Sequence, residues 1–259
     1  MQFTLTFLSI VLGVLSGGLF WADEESLKFL QEIDKRIYRP VDNGLKDLSI
    51  TITHSLFKNH PTFGPIQAQF YFKAGEKKSQ KLILQGLEQL PEDIKKVSSQ
   101  VVHLENQALQ FFQSYSRELI GKNFEEKLND YEQITLKRDV DYDRLLMVPK
   151  TGSSLKKYFL SQTLVCQNFR ILSIETVNLN GTQTQSKFTY QEVNGKILID
   201  KVESRVSSEQ ASYRYEYQTL NEVILIRKIL GKATNGSSFE IEFTNTKVNE
   251  GLKDDIFED

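Results

Sequence analysis

The chain has 259 residues, 39% of them hydrophobic and 25% charged, with a formal net charge of -2. That is an ordinary globular composition with material for one large β domain. It excludes an electrostatic nucleic-acid binder, because no Lys/Arg run offsets the charge balance.

Met1 to Ala22 carries no charged residue and is apolar from Phe3 to Trp21, broken by Ser16-Gly17-Gly18. It reads as a signal peptide, residues 1–22, cut ahead of Asp23-Glu24-Glu25 and leaving 23–259 as the mature domain. A cut after Gly18 fits the small-residue rule better, and an uncleaved anchor is the alternative, since about 18 to 20 apolar residues span a bilayer. The glycine pair weakens a spanning helix, so cleavage is preferred and a periplasmic location is expected, membrane-anchored if the segment stays. Cys166 is the single cysteine, so no intramolecular disulfide is possible. Its neighbours Leu164, Val165 and Phe169 point to a buried small hydrophobe rather than a nucleophile.

Leu27, Leu30, Ile33 and Ile37 recur at helical spacing, so Glu24 to Tyr38 is expected as a helix, with Ser26 able to cap it and Pro40 stopping it. Asp42-Asn43-Gly44 turns the chain. Leu48, Ile50, Ile52 and Leu56 alternate with Ser49, Thr51, Thr53 and Ser55, which predicts a half-buried strand. Ile66, Ala68, Phe70 and Phe72 alternate likewise, and a polar hairpin at Ala74 to Lys78 leads to a strand at Lys81 to Leu84. From Pro91 the period becomes helical through Val101, Leu104, Ala108, Phe111 and Phe112 toward Ile120, with a short piece at Phe124 to Leu128. This 91–128 insertion interrupts a chain otherwise made of strands and is a candidate cover for the sheet.

Strands resume at Tyr131 to Lys137 and Arg144 to Val148, and Lys156 to Leu160 is expected to start another. Phe169 to Val248 then reads as a meander punctuated by Asn180-Gly181, Asn194-Gly195, Leu220-Asn221 and Asn235-Gly236. Asn-Gly between alternating runs predicts type I′ hairpins, which need positive φ at both central residues. Tyr213, Tyr215 and Tyr217 share one phase of their strand, and so do Phe239, Ile241 and Phe243. The result is an antiparallel sheet with an aromatic-rich face and a wet face. The acidic end, Asn249 to Asp259, keeps Leu252, Ile256 and Phe257 available for docking.

The chain contains no phosphate-binding glycine loop, nucleophile elbow or H-E-x-x-H motif. His54, His60 and His103 show no spacing that predicts a metal or a triad, so each reads as a structural or surface histidine. His54 falls on the apolar phase of its strand. No cofactor or metal is expected, and the chain is not read as an enzyme. The 17 Phe and 10 Tyr either fill a closed core or line a cavity for an apolar ligand. Each buried ligand methylene would contribute about 0.8 kcal/mol to such binding.

The joint Arg39 to Leu48, the pair Tyr131 to Leu136 and Leu145 to Lys150, and Asn245 to Leu252 followed by Asp254 to Phe257 resemble the outer-membrane lipoprotein carrier family (LolA/LolB-like). The resemblance covers most of the mature chain as architecture. It implies a mainly β (α+β) fold: a single curved antiparallel sheet forming an unclosed half-barrel, with an N-terminal helix and a helical lid. It implies a carrier that shields a lipid acyl chain or lipoprotein, takes part in outer-membrane lipoprotein sorting and works as a monomer. Wall and lid would be formed by Ile50, Ile52, Phe70, Phe72, Val101, Leu104, Phe111, Tyr190, Tyr213, Tyr215, Tyr217, Phe239, Ile241 and Phe243. The second reading is an envelope structural, interaction or sensor protein on the same fold with no transported ligand. A hydrolase with a dispersed acid pair ranks third.

Overall fold

The computed structural model describes residues 21–58, 66–75, 79–90, 92, 98–120, 128, 130–206 and 209–258. Most of the expected leader, His60, the hairpin tip Glu76 to Lys78, the expected helix start at Pro91 to Val97 (except Glu92) and the piece Phe124 to Lys127 lie outside these residues. No described helix is long and apolar enough to cross a membrane.

Among the described residues, thirteen strands pair in the order β1-β5-β6-β7-β8-β9-β10-β11-β12-β13-β2-β3-β4, with β1 and β4 as its ends. They are β1 (Trp21–Ala22), β2 (Asp47–His54), β3 (Gln67–Lys73), β4 (Ser79–Gln85), β5 (Tyr131–Arg138), β6 (Asp143–Pro149), β7 (Phe159–Gln167), β8 (Arg170–Asn178), β9 (Gln183–Val193), β10 (Lys196–Val206), β11 (Glu209–Leu220), β12 (Val223–Ala233) and β13 (Ser238–Val248). The helices are α1 (Glu24–Arg36), α2 (Ser55–Lys58) and α3 (Ser98–Ile120). The fold is therefore mainly β, an unclosed antiparallel sheet with helices; only the short β1 pairs in parallel, with β5. The chain forms two compact units. One takes in the described residues up to Tyr38 with those of Lys122–Arg214 and Lys232–Ser237. The other takes in those of Arg39–Gly121, Tyr215–Gly231 and Ser238–Asp259.

In the first unit α1 starts on Asp23, whose carboxylate accepts from Ser26 N at 2.6 Å, while Glu24 and Glu25 occupy the first turn and Lys35 and Arg36 the last. Both placements suit the helix dipole. The cap is Asp23, not Ser26. Ser26 is buried instead, and its hydroxyl accepts from Leu136 N at 2.8 Å. It thus satisfies an edge amide of β5 just past the two residues that β1 pairs. Phe29, Leu30 and Ile33 form the buried stripe of α1.

The hairpins divide into two kinds. Asn194-Gly195 joins β9 to β10 with φ of 50° and 73°, as the type I′ turn requires. Asn168-Phe169 (φ 51° and 60°) and Asn221-Glu222 (47° and 66°) build the same two-residue turn without glycine. At Asn180-Gly181 and Asn235-Gly236 only the glycine has positive φ. There Gly181 N donates to Asn178 O and Gly236 N to Ala233 O, so these are three-residue loops ending in a left-handed glycine. The expectation of type I′ geometry fails at these two, because a longer loop lets Asn stay right-handed and leaves the positive φ to glycine.

One further expectation is corrected. The strand predicted through Leu56 stops at His54, where Ser55 Oγ accepts from Glu240 N at 2.9 Å and α2 begins. The strand expected to start within Lys156 to Leu160 is β7, which begins at Phe159 after a 3-10 turn, Ser154–Lys157, anchored by buried Leu155.

Candidate functional site

The sheet of the second unit separates chemistry by face. In β2, Leu48, Ile50, Ile52 and His54 share one face. Register places Ile50 opposite Phe70, Leu48 opposite Phe72, Ile52 opposite Phe243 and His54 opposite Ile241. On the other face Thr51 Oγ1 donates to Gln69 Oε1 at 2.9 Å, and Gln69 Nε2 donates to Ser49 Oγ at 3.0 Å. Asn245 Nδ2 adds a 3.3 Å bond to Thr51. Period-two alternation alone produces this division into an aromatic-aliphatic wall and a hydrogen-bonded backing.

The helices bring rings onto the apolar wall at His54. Its imidazole lies 4.6 Å, edge to face, from the Phe111 ring of α3, 5.1 Å and nearly parallel to the Phe239 ring, and 6.0 Å from Phe57 of α2. Phe57 touches both Phe111 and Phe112, and Phe111 also meets Tyr115. Edge and offset contacts of this kind suit the ring quadrupoles. His54 is only 3% exposed, and burial lowers its pKa from an ordinary 6.5 to about 4, so it is a neutral member of an aromatic cluster near neutral pH.

A glycine makes room for one ring. A Cβ on Gly231 of β12 would stand 2.1 Å from the Phe239 ring, so Phe239 lies directly on bare backbone. An isolated glycine inside a strand signals such a close approach, and that sequence signal could have identified Gly231. His54, Phe57 and Phe112 carried no comparable signal, because their convergence depends on where α2 and α3 settle.

The expected wall residues fall into three groups. Ile50, Ile52, Phe70, Phe72, Ile241 and Phe243 share the apolar face and are 0 to 2% exposed. Leu104 of α3 is buried, while Val101, Phe111 and Phe239 are half-buried. Tyr215 and Tyr217 of the same unit are half-buried too, as is Tyr213 in the first unit. Tyr190, also in the first unit, donates its hydroxyl to Ile171 O beneath the Arg170 guanidinium, whose carbon lies 5.4 Å from the ring centre. Burial raises the pKa of that hydroxyl. Of the expected residues, Phe111 and Phe239 pack on His54 and Ile50, Ile52, Phe70, Phe72, Ile241 and Phe243 share its face of the sheet, while Tyr190, in the first unit, serves a β8 carbonyl.

Among the described residues no three of His, Cys, Asp and Glu are placed so that they could hold a metal ion. His103 sits on α3, exposed, beside Gln107 at 2.9 Å. Cys166 is buried, and burial first, with Asp143 second, pushes its thiol up to about 12.

Two of the sequence segments that carry the family resemblance meet in the second unit. Asn249 Oδ1 accepts from Lys46 N and Asp47 N, and its Nδ2 donates to Gly44 O. Asp47 returns the contact by accepting from Glu250 N and Gly251 N at 3.0 and 3.1 Å. Lys73 and Lys81 then hold the acidic end through Leu252 O, Asp254 and Glu258 O.

No protein-family profile and no curated protein sequence matches the chain. Solved structures similar to it include three that cover nearly the whole chain. A domain named for outer membrane lipoprotein sorting, from Vibrio parahaemolyticus, is 13% identical, with 91% of this chain and 97% of that one covered and a TM-score of 0.39. A DUF1329 family protein from Desulfovibrio piger is 14% identical, covering 91% and 96% with a TM-score of 0.39. A LolA superfamily protein from Nitrosomonas europaea is 12% identical, covering 90% and 97% with a TM-score of 0.31.

Proposed function

We propose that this protein is an exported, periplasmic carrier that shelters the acyl chain of a lipid or lipoprotein against the apolar face of β2, β3 and β13, with α3 as the displaceable cover. What carries this reading is the kind of contact that joins α3 to that face. Phe111 meets His54 and Phe57, and Phe112 meets Phe57, through rings. Burial of apolar area is non-directional, so an acyl chain can take over the area that α3 gives up, at about 0.8 kcal/mol per methylene. The role is binding rather than catalysis. Outer-membrane lipoprotein sorting is the process in which such a carrier would serve, working as a monomer with envelope proteins as its partners.

The test is to recover the protein gently from an envelope and identify extracted lipid by mass spectrometry, then titrate delipidated protein with a fluorescent fatty acid. Bound lipid together with saturable probe binding, weakened by Ile52→Glu, supports the reading. Clean apo protein that binds no probe overturns it. A second reading has its own observation. The six wall residues that are 0 to 2% exposed fit an interaction or sensor protein whose interior is filled by its own side chains. It expects a cross-linked envelope partner and no probe binding.

A further inference from the structure

We propose that the strand ends around Leu155 to Leu160 and Leu179, in the first unit, form a docking surface for an anionic lipid bilayer. The surface is independent of whatever the apolar face of β2, β3 and β13 holds. Tyr158 is 57% exposed, Leu160 39% and Leu179 51%. Register gathers them: Phe159 pairs with Asn178, the residue before Leu179, and Leu160 is skipped by the pairing, which resumes at Ser161 opposite Val177. The irregularity leaves Leu160 unpaired and exposed on one side of the Phe159–Asn178 pair, with Leu179 following Asn178 on the other. These apolar groups are held in place, because buried Leu155 and Phe159 fix the 3-10 turn and the strand start on either side of Tyr158.

Charge on the segment matches one kind of occupant. Lys150, Lys156 and Lys157 lie between positions 150 and 160, with no acidic residue among them, and Leu179 sits in a run, 176–182, without any charge. The carboxylates nearest in the chain are held by arginines: Asp143 pairs with Arg138 at 3.5 Å and Glu175 with Arg144 at 3.6 Å, while Glu132 accepts from Thr151 N at 3.2 Å and Asp130 is buried. Exposed Tyr and Leu beside lysines are the combination that inserts rings and methyls at a bilayer interface while ammonium groups stay among anionic headgroups. Exposed Val140, at the β5–β6 turn, shows the contrast: it is flanked by Asp139 and Asp141, and an anionic surface would repel it.

The test uses the protein as an expressing envelope delivers it, with whatever processing its N-terminus receives. It measures co-sedimentation with vesicles of phosphatidylcholine alone and of phosphatidylcholine mixed with phosphatidylglycerol. The readout is the gain that phosphatidylglycerol confers, to which an uncharged apolar anchor would contribute nothing. Lys156→Gln with Lys157→Gln should cut that gain by about 5-fold per lysine, and added salt should cut it further. Tyr158→Ser with Leu160→Ser and Leu179→Ser should weaken binding to both vesicles, and Val140→Ser should change nothing. The lysine pair alters only side chains at the surface, so it serves even if the triple variant fails to fold. No gain with phosphatidylglycerol, or a gain that the lysine variants retain, overturns the proposal. Fatty-acid probe binding unchanged in the lysine variant separates this surface from the carrier reading.

Discussion

The two compact units solve the same problem, covering a sheet face, with different materials. In the first, one row runs Leu136, Leu145, Leu164, Ile174, Ser186, Ser204, Ala211 across seven strands. Large aliphatic side chains give way to small ones, and buried Ser186 and Ser204 satisfy each other at 3.2 Å. In the second, rings from β2, α2, α3 and β13 gather on one histidine. Both units bury apolar side chains, the stripe of α1 among them in the first, but the ring cluster on His54 belongs to the second. Truncating one of those rings should therefore cost far more than truncating one of the paired serines, and the measurements below test the difference between ring packing and local hydrogen bonding.

The largest effect is expected at Phe112, which is fully buried. Phe112→Ala should lower the unfolding free energy by about 3 to 5 kcal/mol, from lost transfer energy and the hole left under Phe57 and Phe111. Ser186→Ala in the first unit should cost about 1 kcal/mol, the usual net value of one hydrogen bond. Comparable losses in urea titrations of the two variants would break the comparison.

Next in size is the pH response of His54. Its pKa falls from 6.5 to about 4 on folding, so between those values the unfolded chain binds the proton and the folded one does not. Stability should be level above pH 6.5 and decline as the pH falls toward 4. The loss there should reach about 3 kcal/mol, at 1.36 kcal/mol per pKa unit. His54→Gln should remove this slope. A slope that persists unchanged in the variant would place the titrating group elsewhere.

Legibility in the sequence followed the same division. Alternation placed the strands of the meander, and turn residues placed their boundaries, because both signals are local. Asn168-Phe169 escaped because nothing in that dipeptide announces a left-handed Phe. The turn is held from outside, by the Phe29 ring 5.2 Å away and by Arg36, which donates to Asn168 O and lies 5.0 Å above the Phe169 ring. The apolar face of β2, β3 and β13 was legible as a face, since period-two patterning fixes which residues share it. Its centre was not. His54, Phe57, Phe111 and Phe239 are as much as 185 positions apart in the chain, and their meeting is decided by helix placement, which no local pattern encodes.

Gly231→Ala probes that centre from its backbone side. A methyl there would force the Phe239 ring away, since no real contact survives at 2.1 Å. The expected cost is about 1 to 3 kcal/mol, typical of overpacking. Near-ultraviolet circular dichroism should also change, because Phe239 would leave its stacked position on His54. Unaltered stability and spectrum would mean that Phe239 has room to withdraw without loosening the cluster.

The smallest expected effect should have the opposite sign, and it belongs to the hairpins. Glu222 is exposed and holds φ at 66°, a left-handed geometry that costs an ordinary residue roughly 1 to 2 kcal/mol. Glycine removes that cost but adds about 0.5 to 1 kcal/mol of chain entropy to be lost on folding. Glu222→Gly should therefore stabilise the protein by up to about 1 kcal/mol, with Asn221 still donating to Val248 O at 2.8 Å. The same change at Phe169 should destabilise, although its φ of 60° is similar, because that ring is packed against Phe29 and Arg36. Opposite signs at two turns of one geometry would show that a hairpin's own residues set its stability only where no helix packs against it.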